Sequence, residues 1–257
     1  MTATVKVALI GLPLALIAVL AAEALLAANG AYLPSDPGFV VDATVGPSTG
    51  ASVGAPVQLA VLGDSTVAGV GSPEEAVSLP ALVAARVADR LRRPVHVIGL
   101  GVPGARTATV LERQVPLLRD RSPKPDVVLI VIGSNDATHV TAPWTMGEQT
   151  VALVDGARDA AGGAPVVIGG IPQFRTTRAL RQPLRWVVGR YAAWLRHVQR
   201  KAVTATRTEF VDIAALASPR FVGRPDATSS DGYHPSPLGY GFWADALAPA
   251  VADAVSS

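Results

Sequence analysis

From Val57 onward the chain repeats one pattern: a short apolar run rich in Val and Ile, then a segment with helical spacing. Runs that are apolar at every position bury both faces, as strands do inside a parallel sheet covered by helices on either side. The strand candidates are residues 57–62, 95–98, 126–132, 165–169 and 209–213. One helix starts at Ser78, Leu79 and Pro80, a capping serine followed by an early proline, and continues through Leu82, Val83, Arg86, Val87, Arg90 and Leu91. Other helical segments fall at about 108–118, 144–161, 183–203 and 236–255. Five strands with these connections predict a doubly wound three-layer α/β/α sandwich with right-handed crossovers, one domain over residues 57–257. In such a sheet ligands bind beyond the carboxyl ends of the strands, near the point where strand order reverses.

Among the 257 residues there is no cysteine, which excludes disulfides, thiolate metal sites and a cysteine nucleophile. A formal net charge of +2 gives no basic surface of the kind nucleic acid selects, so no nucleic-acid partner is expected. Residues 7–22 are uninterruptedly apolar, and continued to residue 28 the run is 22 residues long with Glu23 as its one charge. At ~1.5 Å per residue that length just spans ~30 Å of hydrocarbon. Pro13 is tolerated in a membrane helix or a signal peptide. Lys6 is the only basic residue before Arg86, which places the N-terminus in the cytoplasm and the rest outside.

Residues 1–28 therefore read as a signal anchor or a cleaved signal peptide. Run length favours the anchor, while Ala22, Glu23 and Ala24 form an imperfect small-x-small cleavage site. The domain is expected outside, anchored at the cell membrane, or secreted or in the wall after cleavage. Residues 29–56, rich in Gly, Pro and Ser and without sustained period, read as a linker or an arm lying on the domain.

Glycine stands beside polar residues at each strand end. The segments are Gly63-Asp64-Ser65-Thr66 after the first strand, Gly99-Leu100-Gly101-Val102-Pro103-Gly104 after the second and Gly133-Ser134-Asn135-Asp136 after the third. Near the C-terminus comes Asp231-Gly232-Tyr233-His234. Gly99, Gly101 and Gly104 match the dinucleotide fingerprint formally, but that fingerprint belongs after the first strand, so no cofactor is expected. No His, Asp and Glu set has metal-ligand spacing, so no metal is expected either.

Taken in order and at these strand ends, the four segments resemble those of the SGNH (GDSL-type) hydrolases, esterases of flavodoxin-like topology. The resemblance covers residues 57–255, and Thr66 departs from it where the family often has leucine. It implies a five-stranded parallel sheet, preceded here by the N-terminal hydrophobic helix. It also implies Ser65 as nucleophile, His234 as general base and then acid, and Asp231 orienting the imidazole. The oxyanion donors would be the backbone N–H groups of Ser65 and Gly104 and the side-chain amide of Asn135. Asp64 and Asp136 read as turn and cap formers. His96 and His197 read as bystanders, and His139 follows the Asn135 loop closely enough to line a cleft.

The implied reaction is hydrolysis of small-molecule, lipid or glycan esters with short to medium acyl chains. A domain of this length leaves no room for a large lid, and an open cleft suits short acyl groups or acylated sugars. An O-acyltransferase or carbohydrate O-deacylase would use the same residues. A non-catalytic binding protein would lack one of them. Arg175, Arg178, Arg181, Arg185, Arg190, Arg196, Arg200 and Lys201 alternate with Trp186, Tyr191 and Trp194. That segment reads either as a basic surface for anionic headgroups or envelope polymer, or as a solvated face with its aromatics in the core.

Overall fold

The computed structural model describes residues 3–50 and 53–256, and in the first helix side chains from residue 14 onward. The chain opens with helix α1 (Ala3–Ala28), followed by a short edge strand β1 (Asp42–Val45). Next come β2 (Val57–Gly63), α2 (Ser65–Ala68), α3 (Leu79–Leu91) and β3 (Val95–Gly99). A helical stretch begins as α4 (Thr107–Thr109), widens to a π turn over Val110–Gln114 and tightens to a 3-10 turn over Val115–Leu118. Pro116, which has no N–H to donate, lies within that tightened turn. The second half holds β4 (Val127–Val131), α5 (Ser134–Thr138), α6 (Pro143–Ala160), β5 (Val166–Gly169) and α7 (Leu184–Ala205). It ends with β6 (Glu209–Val211), α8 (Ile213–Leu216) and α9 (Pro237–Ser256).

Six strands form one sheet in the order β1-β3-β2-β4-β5-β6 among the described residues. The five runs expected from their two-sided apolarity are β2 to β6, all parallel. Their order is the doubly wound one with its reversal between β2 and β4. The expectation of five strands, all parallel, is corrected by β1. This strand pairs antiparallel with β3, from Asp42 opposite Ile98 to Val45 opposite Val95, and covers an edge that would otherwise stand open. Ser78 occupies the N-cap of α3, yet its side chain makes no capping bond and its hydroxyl is buried without a partner.

Alternation along the strands separates two cores. Val57, Leu59, Val61, Leu129 and Val131 pack under α3 and α9. Ala60, Leu62, Val128, Ile130 and Ile168 pack on the opposite face, against the 107–118 stretch and α6. The sheet is thus dry on both faces, and polar chemistry is left to the strand ends.

Among the residues whose side chains are described, no helix is long and apolar enough to cross a membrane. Residues 1–13, with Lys6 and the first part of the apolar run, lie outside them. In the described part of α1, Leu14, Leu16, Ile17, Val19, Leu25 and Leu26 are exposed.

Candidate active site

Strand β2 ends where helix α2 begins, and Ser65 is the first residue of that helix. The turn is held by Asp64, whose carboxylate accepts the Thr66 N–H at 2.9 Å and the Thr66 hydroxyl at 2.8 Å. Burial pushes the Asp64 carboxyl up, against those two bonds, which lower it. Gly101 lies against the turn so closely that a Cβ there would sit 2.3 Å from the Ala68 nitrogen. Gln114 reaches in from the π turn and clamps Gly63 on both backbone groups. Its Oε1 accepts the Gly63 N–H at 2.9 Å and its Nε2 donates to the Gly63 carbonyl at 2.7 Å. Gln114→Leu is expected to cost roughly 1–3 kcal/mol, because the buried Gly63 N–H loses the Gln114 acceptor while the Gly63 carbonyl keeps the Val102 N–H. An unchanged midpoint in urea unfolding would contradict this role.

His234 and Asp231 come from the loop before α9. That loop is closed by a bridge between Thr228 and Pro235 and by the Ser229 N–H donating to the His234 carbonyl at 2.8 Å. Inside it, Asp231 Oδ1 accepts the N–H groups of Tyr233 at 2.9 Å and His234 at 3.0 Å, a local turn that fixes both side chains. Gly232, with φ of +68°, allows the reversal. Asp231 Oδ2 lies 2.6 Å from His234 Nδ1, and His234 Nε2 lies 3.0 Å from Ser65 Oγ. Burial pushes the Asp231 carboxyl up, but its bonds from His234 and Tyr233 outweigh that and hold it at about 2. It is therefore an anion at neutral pH, and it holds the Nδ1 proton so that Nε2 is free to accept from the serine.

Asn135 sits in the first turn of α5, directly beyond β4. Its Nδ2 donates to the Ala105 carbonyl at 2.9 Å, which fixes the amide and leaves a second N–H to offer. Gly104, with φ of +77°, turns the β3 loop back toward the same place and lines the groove that holds Ser65, Asn135 and His234. Asp136, fully buried, accepts the Thr107 N–H and hydroxyl, both at 3.0 Å, and so ties the Asn135 loop to the Gly104 loop. Two cavities meet at Ser65, Asn135, Tyr233 and His234. The one in front of the serine is a groove of about 570 Å³, within the ~300–1,000 Å³ range usual for ligand sites.

Residues 61–242 match the GDSL-like Lipase/Acylhydrolase family. The chain belongs to that family. All of Ser65, Gly104, Asn135, Asp231 and His234 lie in the matched region. A GDSL-like esterase of Mycobacterium tuberculosis, Rv1075c, is 31% identical over 202 residues, which are 78% of this chain and 63% of the relative. The chain thus spans under two thirds of that relative's length. Two solved structures share the fold. TesA is 24% identical with a TM-score of 0.60, covering 75% of this chain and 97% of its own. The psychrotrophic esterase EstA of Pseudoalteromonas sp. is 18% identical with a TM-score of 0.60, covering 78% and 99%.

Other expected positions of this GDSL-like chain fall as follows. His139 lines the groove, its Nδ1 lying 2.9 Å from the Asn135 carbonyl oxygen. His96 lies in β3 between β1 and β2, its Nδ1 3.2 Å from the Thr44 hydroxyl oxygen, and His197 is exposed on α7. Along α7, Trp186 and Trp194 are exposed, which corrects the reading that put the aromatics of that helix in the core. Tyr191 is half-buried and donates to the Thr141 carbonyl at 2.7 Å. Arg196 and Arg200 are paired with Asp212. Nothing in the local sequence marks Gln114 or Gln199. Gln199, fully buried, bridges the ends of β4 and β5 by donating to the Ile132 carbonyl at 3.1 Å and accepting the Ile171 N–H at 3.3 Å.

Proposed function

We propose that the protein is an exported serine esterase that hydrolyses carboxylic esters of short to medium acyl chains through an acyl-enzyme on Ser65. One observation carries this reading: the continuous hydrogen-bonded chain from Asp231 through His234 to Ser65, at 2.6 and 3.0 Å, facing an open groove. The Ser65 oxygen attacks the ester carbonyl while His234 Nε2 takes its proton. The imidazolium so formed is stabilised by the Asp231 anion. Negative charge gathering on the carbonyl oxygen meets the Ser65 and Gly104 N–H groups and the free N–H of Asn135. His234 then protonates the departing alcohol, and water repeats the sequence on the acyl-enzyme.

Export and attachment at the membrane are supported by Lys6 ahead of the apolar run and by the exposed Leu and Ile side chains of α1. Exposed Trp186 and Trp194 on α7, the helix that α1 touches, suit a lipid–water boundary.

The test is to treat the full chain with a fluorophosphonate and with p-nitrophenyl butyrate. One adduct, on Ser65, with parallel loss of hydrolysis is expected. A chain that cleaves no ester and takes no adduct would overturn the reading. Asn135→Ala is expected to lower kcat by roughly 100- to 1,000-fold with KM little changed, since its amide serves the charge that develops in the transition state. A change confined to KM would remove Asn135 from that role.

A further inference from the structure

The groove in front of Ser65 is not closed by the hydrolase core alone. On one side stand Leu184 and Val188, from the first turns of α7. With them in the lining stand Ala24 and Ala27, from the last turns of α1, and Tyr32 and Leu33 of the arm that follows. Ala27, like Leu184, Val188 and Tyr233, also packs against the apolar cluster of Ile171, Phe174 and Leu180.

This wall is pinned by directional bonds. Glu23 Oε2 accepts the Leu184 N–H at 2.8 Å, so the one charge in the apolar run caps the start of α7. The Tyr32 hydroxyl donates to the Ala27 carbonyl at 2.7 Å, and its ring meets Tyr233 edge-on at 5.7 Å. The Leu33 N–H donates to Asp231 Oδ2 at 3.4 Å, the same oxygen that holds His234.

We propose that the end of α1 and the arm to Leu33 form one wall of the acyl-binding groove, so that this segment sets which esters the enzyme takes. The inference rests on the esterase reading above. Its chemistry follows from the lining. Alanines of α1 and Leu184 and Val188 of α7 line one groove together with Ser65, an apolar slot that leads from the serine. A straight acyl chain of several carbons lies in that slot with its carbonyl at the serine. Each methylene it buries raises kcat/KM by roughly fourfold.

The experiment compares kcat/KM for p-nitrophenyl octanoate and acetate in the full chain, with active sites counted by phosphonate titration. Ala27→Trp fills the slot from the α1 side and Leu184→Trp from the α7 side. Each is expected to lower the octanoate-to-acetate ratio at least tenfold. Leu26→Trp, on the exposed side of α1, is expected to leave the ratio unchanged. Ala24→Trp, on the same face as Ala27, replaces Ala27→Trp should that variant carry no titratable serine. A ratio lowered by Leu184→Trp but not by the α1 variants would show that the core alone builds the groove, and would overturn the proposal. Absence of serine-dependent hydrolysis in the unaltered chain overturns the esterase reading itself, so the two failures are distinct.

Discussion

Replacing Ser65 with alanine is expected to abolish ester hydrolysis, lowering kcat by roughly 10⁴- to 10⁶-fold, while the protein stays folded. The change removes one oxygen from a side chain that is already 9% exposed and packed in the first turn of α2. The turn itself depends on Asp64, Thr66 and Gln114, none of which contacts the hydroxyl that is lost. Without that oxygen His234 has no proton to take and no acyl-enzyme forms. What remains is the pull of the oxyanion donors on a carbonyl attacked by water. Near-normal turnover in Ser65→Ala, with the wild-type unfolding midpoint, would remove the nucleophile from the mechanism.

Asp231→Asn is expected to cost roughly 10⁴-fold in kcat, because an amide in place of Oδ2 can donate to Nδ1. The imidazole then carries its proton on Nε2 and cannot accept one from Ser65. The same variant checks the acid behaviour of the fold. With its folded-state value at about 2 against an ordinary 3.8, the Asp231 carboxylate contributes stability above pH 3.8. That contribution fades as pH falls from 3.8 through about 2, where the native carboxylate takes up its proton. The gap in Tm between wild type and Asp231→Asn is therefore expected at neutral pH and to narrow through this window. A gap that stays constant down to pH 2 would mean that Asp231 is not the depressed group.

The parts of the fold legible in the sequence are those whose signal is local. Strands β4 and β5 announce themselves because both faces are dry and every residue is apolar, and β2, β3 and β6 interrupt their apolar runs only at Gln58, His96 and Glu209. Ser65, Asn135, Asp231 and His234 stand in short contiguous segments beside glycines, and their neighbours in sequence are their neighbours in space. Strand β1 carries no such signal: exposed Asp42 and Thr44 alternate with half-buried Ala43 and Val45 on an edge, inside a stretch rich in Gly and Pro. Gln114 and Gln199 look like ordinary helical amides until the strand ends they clamp are brought to them, from 51 and 67 residues away in the chain. Glu23 reads as a blemish in an apolar run because its partner, the Leu184 N–H, lies 161 residues on. Ser78 shows the opposite failure. The capping pattern is correct in position, yet the hydroxyl finds no partner.

The edge strand has a mechanical consequence. A helix tied to an enzyme by a slack leash leaves the enzyme free to tumble, and its mouth faces every direction in turn. Here the path from α1 to β2 is stitched down along its length, by the Leu33 N–H at Asp231, by β1 laced along β3 and by Ser48 bonded to Asp89. Torque on the helix passes directly into the sheet and into the loop that carries His234. A surface that held the helix would then also set which way the mouth of the enzyme points and how far from that surface it sits.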